Sequence, residues 1–201
     1  MQARSLTRVH TLTVTAMLGA VATVLMFLDF SVPFMPSFVK LDISELPALL
    51  AAFALGPVPG TIVCLIKNLF NLLFHGTTGG VGEVCNFILG AALVIPAGLI
   101  YRKNRTHKGA LIGAVVGAAC MALLSLPINY FITYPMYVVL YGMPLDAILG
   151  MYRAILPSAG GLFQCLLVFN LPFTLLKGAL DAALTFLIYK PLSPILHAGN
   201  R

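Results

Sequence analysis

Between Arg8 and Asp29 lie 20 residues without a single lysine, arginine, aspartate or glutamate. A helix needs roughly 20 such residues to cross a bilayer. Comparable apolar runs recur down the chain. Only 9% of its 201 residues are charged and 60% are hydrophobic, whereas a soluble domain is about a quarter charged. A chain this poor in charge cannot cover a globule with it, so its expected solvent is a membrane. A cleaved signal would show a small-residue cleavage site after a short apolar core. The first run continues to Leu28 without one and reads as a retained helix.

Breaks in the apolar pattern place six helices in a single unit covering 1–201: about 9–30, 46–56, 59–75, 83–101, 109–134 and 165–189. The fold class expected is an all-α membrane bundle. Segment 46–56 is too short for a straight span, and half-length helices persist only where protein surrounds them or they line a cavity. The competing reading makes 46–75 one kinked span, giving five helices and termini on opposite sides. Charge separates the two. With six helices and both termini cytoplasmic, Arg4, Arg8, Arg102, Lys103, Arg105, Lys108, Lys190 and Arg201 share the inner face with no acid among them. Asp29, Lys40, Asp42, Glu45, Glu83, Asp146 and Arg153 fall outside. The positive-inside rule favours six. The stretch 135–165, broken by Pro135, Gly142, Pro144 and Pro157, reads either as an interfacial helix or as an extension of the fifth segment. The net charge of +6 sits in these short connecting segments, which is a topology signal and argues against a nucleic-acid partner. Four cysteines are scattered singly through apolar runs, so neither a disulfide nor a metal site is expected.

Ionisable groups at membrane depth are costly and mark function by default. Lys177 lies in the middle of "FNLPFTLLKGALDA". Asp181, four residues on, shares its helical face, so the pair reads either as a self-neutralising contact or as a donor held by its orienting acid. Pro172 frees a backbone carbonyl upstream. Asn129 and Tyr130 in "PINYFITYPMY" offer amide and aromatic contacts, although an interhelical hydrogen bond explains Asn129 as well. Tyr130, Tyr134, Tyr137 and Tyr141 also fit an interfacial aromatic belt. Glu83 and Asn86 share a face in "GEVCNFILG", with Glu83 also suited to the helix dipole. Lys67, Asn68 and Asn71 form a further polar set in which Lys67 has no assigned partner. In "KLDISELPALL", Ser44, Glu45 and Pro47 read as a helix start, which leaves Lys40 and Asp42 unexplained; this loop, 31–45, is long enough to form a lid. Ala16, Gly19, Ala20 and Thr23 give small residues at spacings of three and four, suited to close helix approach within the chain or to another membrane protein. No P-loop, HExxH or GxSxG occurs. Uphill movement of a solute therefore needs a partner or an ion gradient. The six acids are dispersed, whereas metal or general-base work needs them clustered; an enzyme is not the expected reading.

The set "KLDISELPALLAAFALGPVPG", "GEVCNFILG", "NYFITYPMY" and "LPFTLLKG" resembles the riboflavin-uptake S-components of energy-coupling factor (ECF) transporters over nearly the whole chain. The resemblance implies an S-component-like bundle in the bacterial cell membrane, multi-pass, in contact with lipid, and no cofactor beyond riboflavin as transported ligand. It implies a site built from Leu41, Asp42, Glu83, Asn86, Asn129, Tyr130, Thr174 and Lys177. Thr174 departs from the family, which commonly carries asparagine there. It also implies that Ala16 and Ala20 dock a transmembrane T-component, with two cytoplasmic ATPases completing the importer. The alternatives are an S-component for thiamine, biotin or folate, a membrane-embedded enzyme, or an assembly subunit whose polar residues only bind helices together.

Overall fold

A computed structural model of the chain describes residues 2–33, 35–36, 39–76 and 79–196. Arg201, and Phe34, Ser37 and Phe38 of the expected lid, lie outside the described residues, as do the side chains of Arg4, Tyr141 and Lys190. The elements in order are α1 (Gln2–Phe27), β1 (Phe30–Ser31), β2 (Lys40–Leu41), α2 (Glu45–Ala54), α3 (Pro57–His75), α4 (Val81–Lys103) and α5 (His107–Ile128). A π-helical turn (Asn129–Thr133), α6 (Tyr134–Tyr141), α7 (Leu145–Ile155), α8 (Leu162–Cys165), a second π turn (Leu166–Asn170) and α9 (Leu171–Leu196) follow. Among the described residues, five helical stretches are long and apolar enough to cross a membrane: Arg8–Phe27, Pro57–His75, Val81–Lys103, His107–Leu140 and Leu162–Tyr189.

A shorter apolar helix, α2, spans about 15 Å, half of a bilayer core of about 30 Å. Nine of its ten residues are buried, Glu45 to Phe53. It is therefore shielded from lipid by protein, as a half-length element in a membrane must be. It packs antiparallel to α3: Glu45 meets Lys67, and Ala48 and Ala52 lie against Gly60. The chain reverses at Gly56, whose φ of 112° favours glycine, and Pro57 then opens α3.

Both readings of 135–165 hold in part. The fifth segment continues through α6, and then the separate helix α7 buries Ile148, Leu149 and Tyr152 on one side. The continuation is not regular. Each π turn ends two residues before a proline, Thr133 before Pro135 and Asn170 before Pro172. A proline cannot donate to the carbonyl four residues back, and the ladder slips to a wider turn there. Such bulges concentrate at functional sites. Loop one adds a feature that the sequence reading lacks: β1 and β2 pair antiparallel, Phe30 opposite Leu41 and Ser31 opposite Lys40.

The bundle core runs through α2, α3, α4, α5 and α9, with Leu49, Val63, Leu93, Val94 and Ala114 at zero exposure. The α4–α5 contact is backbone-close. A Cβ on Gly113 would stand 2.7 Å from the Ala97 carbonyl oxygen, and one on Gly117 only 2.2 Å from that of Leu93. A second core joins α6, α7 and the second π turn through Tyr134, Ile148, Tyr152 and Leu166.

Candidate functional site

One end of the bundle opens into a cavity of about 340 Å3, within the roughly 300–1,000 Å3 usual for small-molecule pockets. Its walls come from five directions: Asp29, Lys40 and Asp42 from loop one and its approach, Asn71 and His75 from α3, Glu83 and Asn86 from α4. Asn129, Thr133, Tyr134 and Tyr137 come from the fifth segment, and Asn170, Phe173, Thr174 and Lys177 from the sixth. Six of the eight expected ligand residues line it: Asp42, Glu83, Asn86, Asn129, Thr174 and Lys177.

The other two do not. Leu41 is 8% exposed and packs into the protein between its cavity-lining neighbours Lys40 and Asp42, as the opposite pointing of successive strand side chains requires. Tyr130 is 38% exposed and makes edge contacts with Phe131 and Phe163. It sits on the outer surface of the π turn whose first residue, Asn129, turns inward. The expected belt divides in the same way. Tyr134 is 1% exposed and Tyr137 lines the cavity beside it.

Lys177 finds its acid far away in the chain. Its Nζ donates to Asp42 Oδ2 at 2.7 Å, across 135 residues. The expected partner, Asp181, is wholly buried, and neither of its carboxylate oxygens has a hydrogen-bond partner among the described residues. The correction has a geometric cause: loop one descends into the bundle and carries Asp42 to the lysine. Asp42 Oδ1 then accepts from the Ser44 backbone N–H at 2.9 Å and from the Ser44 hydroxyl. Ser44 holds the N-cap position of α2, where the helix start is read from sequence, but its side chain makes no capping hydrogen bond. Its oxygen instead accepts from Lys67 Nζ at 2.6 Å. Lys67 also donates to Glu45 Oε1 at 2.5 Å, and the Cys64 thiol donates to Glu45 Oε2 at 3.4 Å. Lys67, unassigned from sequence, thus anchors loop one to α3, with Lys67 and Glu45 both fully buried.

α4 approaches this network without a side chain in the way. A Cβ on Gly90 would stand 2.9 Å from both Glu45 carboxylate oxygens. At the mouth, Asn71 Nδ2 donates to Glu83 Oε1 at 3.1 Å, and Lys40 pairs with Asp29 at 3.0 Å. On the far wall, Tyr134, Tyr152 and Asn170 form a hydrogen-bonded group that the sequence reading misses. Asn170 is detectable by the rule that singles out Lys177, as a polar residue in the apolar stretch "LLVFNLPF". Tyr152 is not, because only the tertiary fold shows that α7 turns its phenol inward.

Of the small residues in α1, Gly19 packs inward, a Cβ there falling 2.9 Å from Ile66 side-chain atoms. Thr23 is also buried, while Ala16 and Ala20 are exposed. The stripe therefore has two faces, one used within the chain and one turned away from it.

Residues 10–189 match the family model described as ECF transporter, substrate-specific component. The chain is 34% identical over 181 residues to the riboflavin transporter RibU of Staphylococcus aureus, covering 90% of this chain and 89% of that protein. It is 31% identical over 189 residues to the riboflavin transporter FmnP of Bacillus subtilis, covering 93% and 94%. A solved S component of a bacterial ECF transporter superposes with a TM-score of 0.71 at 34% identity, over 92% of this chain and 96% of that one. The chain belongs to the family of substrate-specific components of ECF transporters.

Proposed function

We propose that this chain captures riboflavin in the loop-one cavity and delivers it inward as the membrane subunit of an ECF importer. The observation that carries this reading is the convergence on one cavity of Asp42, Glu83, Asn86, Asn129, Thr174 and Lys177, in a chain whose relatives are named riboflavin transporters. The lining suits a neutral, flat ligand rich in hydrogen-bond acceptors and carrying a hydroxylated tail. Phe173, Tyr134 and Tyr137 offer aromatic faces and edges. Lys177 has three N–H donors and spends one on Asp42. It therefore serves a ligand oxygen without losing its counter-charge. An anion would have to compete with Asp42 for it, so the paired lysine favours an uncharged vitamin.

The whole chain forms one membrane unit with six crossings and both termini cytoplasmic, loop one together with α2 making the second crossing. Ala16 and Ala20, turned outward, are the docking face for a T-component, and two cytoplasmic ATPases supply the energy. The chain itself does no chemistry on the ligand.

The test is a titration of detergent-purified protein followed by quenching of flavin fluorescence, with thiamine and biotin as competitors. Riboflavin is expected to bind and the competitors not to displace it. Lys177→Ala is expected to weaken binding at least tenfold while the protein elutes as the same folded species. No quenching by the wild-type protein, or unchanged affinity in Lys177→Ala, overturns the reading.

A further inference from the structure

The buried group on the far wall is a closed ring of hydrogen bonds. Tyr152 Oη donates to Asn170 Oδ1 at 2.7 Å, Asn170 Nδ2 donates to Tyr134 Oη at 3.3 Å, and the two phenols bond to each other. Since the Tyr152 proton goes to Asn170, Tyr134 donates to Tyr152, and every member of the ring both gives and accepts. The distances agree with this sense, the shorter contact being O–H to O and the longer N–H to O. The ring ties three elements together: Tyr134 at the start of α6, Tyr152 on α7 and Asn170 at the end of the second π turn. Their exposures are 1%, 0% and 6%.

A primary amide has two N–H donors, and the ring uses one. Asn170 and Tyr134 line the cavity, whereas Tyr152 lies behind them and does not. The amide plane is fixed from behind by a residue that touches no ligand. A buried asparagine held in this way presents its second N–H in a fixed direction, which is how a site discriminates ligands at low entropic cost. Asn170 and Thr174 share one helical face with Lys177, and all three line the cavity. The first π turn brings Asn129 to the same cavity.

From this geometry we infer that Asn170 is a specificity residue that donates an N–H to an acceptor edge of the ligand, a ring carbonyl or ring nitrogen, and that Tyr152 is its positioning residue, acting through α7. The inference rests on the proposed capture of riboflavin in this cavity. α7 then has two roles. It closes the outer end of the bundle, and it sets the orientation of one donor in the site.

A double-substitution cycle decides it, with riboflavin as probe, affinity read by flavin fluorescence quenching, and ligand-free thermal stability measured in parallel. Asn170→Asp keeps the shape and exchanges the N–H donor for an acceptor; it is expected to weaken binding about thirtyfold. Tyr152→Phe removes one oxygen and no ring volume; it is expected to weaken binding about fivefold. In the Asn170→Asp background, Tyr152→Phe is expected to change affinity less than twofold, because its effect passes through the amide. A packing role alone would lower stability and affinity alike and would act equally in both backgrounds. Wild-type affinity in Asn170→Asp, or an undiminished effect of Tyr152→Phe in that background, overturns the inference. If Asn170→Asp does not fold, Asn170→Ser takes its place in the cycle. If wild-type protein fails to bind riboflavin, it is the functional reading that falls; if it binds and the cycle is flat, only the present inference does.

Discussion

At the residue scale the informative object is a buried group of five charges: Asp42, Glu45, Lys67, Lys177 and Asp181. Two pairs close, Lys177 with Asp42 and Lys67 with Glu45. Asp181 is left over. Sequence reasoning finds Lys177, because an ammonium in an apolar helix stands out. It assigns the wrong acid, because spacing along a helix reports only local neighbours, and the true partner arrives on a loop 135 residues away. The energetic consequences of the two acids differ in kind. Removing one partner of a buried ion pair strands the other and costs about 3–5 kcal/mol. A side chain with no hydrogen-bond partner loses none when its oxygen becomes an amide nitrogen. Asp42→Asn is therefore expected to lower the melting temperature and to weaken riboflavin binding more than tenfold. Asp181→Asn is expected to leave the melting temperature level or raised, and affinity within about threefold of wild type. Thermal unfolding in detergent followed by flavin titration measures both, and an Asp181→Asn protein less stable than Asp42→Asn would refute the assignment of partners.

At the element scale, hydrophobic runs disclose where helices lie and not how they meet. The bounds 46–56, 59–75 and 83–101 lie within two residues of α2, α3 and α4, whereas α1 starts at Gln2, the fifth segment runs on through α6 to Tyr141 and the sixth through α9 to Leu196, because apolar runs mark the bilayer-spanning part of a helix and not its ends. The π turns are written in "NYFITYP" and "LLVFNLP" only as prolines, and a proline announces a disturbed ladder without saying which way it slips. Small-residue patterns are ambiguous for a similar reason. The stripe in α1 draws attention, yet the closest backbone approach lies in "GALIGAVVGAA" of α5. The spacing of glycines permits close packing and does not name the partner helix. Here the partner is α4, and the contact at Gly117 leaves no room for a methyl group: the added Cβ would lie 2.2 Å from a carbonyl oxygen belonging to a neighbouring backbone. Gly117→Ala is expected to force α4 and α5 apart and to cost about 1–3 kcal/mol, seen as a fall in melting temperature and in yield of folded protein. Val115→Ala on the same helix, at a position 61% exposed, is the control and should behave as wild type. Equal stability of the two variants would mean that the helices pack less closely than described.

At the scale of the whole molecule, the two ends of the bundle differ in charge, and in the proposed six-crossing topology the positive-inside rule would set the basic end in the cytoplasm. The cavity end gathers Asp29, Asp42 and Glu83. The opposite end has a second depression lined by His10, the α2–α3 turn, Tyr101, Arg102 and Arg105. The α2–α3 turn thus lies beside the C-terminal end of α4, and α2 has travelled from the depth of Lys177 to that end. In the proposed six-crossing topology an element of about 15 Å suffices, the descending loop supplying the rest of the path. Six crossings and five place this turn differently. If 46–75 were one kinked span, the turn at Gly56 would sit within the bilayer, unreachable by a polar reagent. With six crossings it opens on the same side as the α4–α5 loop, which the basic residues assign to the cytoplasm. Single cysteines introduced into a cysteine-free variant test this with a membrane-impermeant maleimide. Val58→Cys, 67% exposed at the turn, and Asn104→Cys in the α4–α5 loop are expected to react in inside-out vesicles and not in intact cells. Ser158→Cys, in the exposed loop after α7, is expected to do the reverse. A Val58→Cys protein silent from both sides returns the kinked five-helix topology. One labelled from outside reverses the orientation, and the cavity would then open to the cytoplasm, where it could not capture a vitamin from the medium.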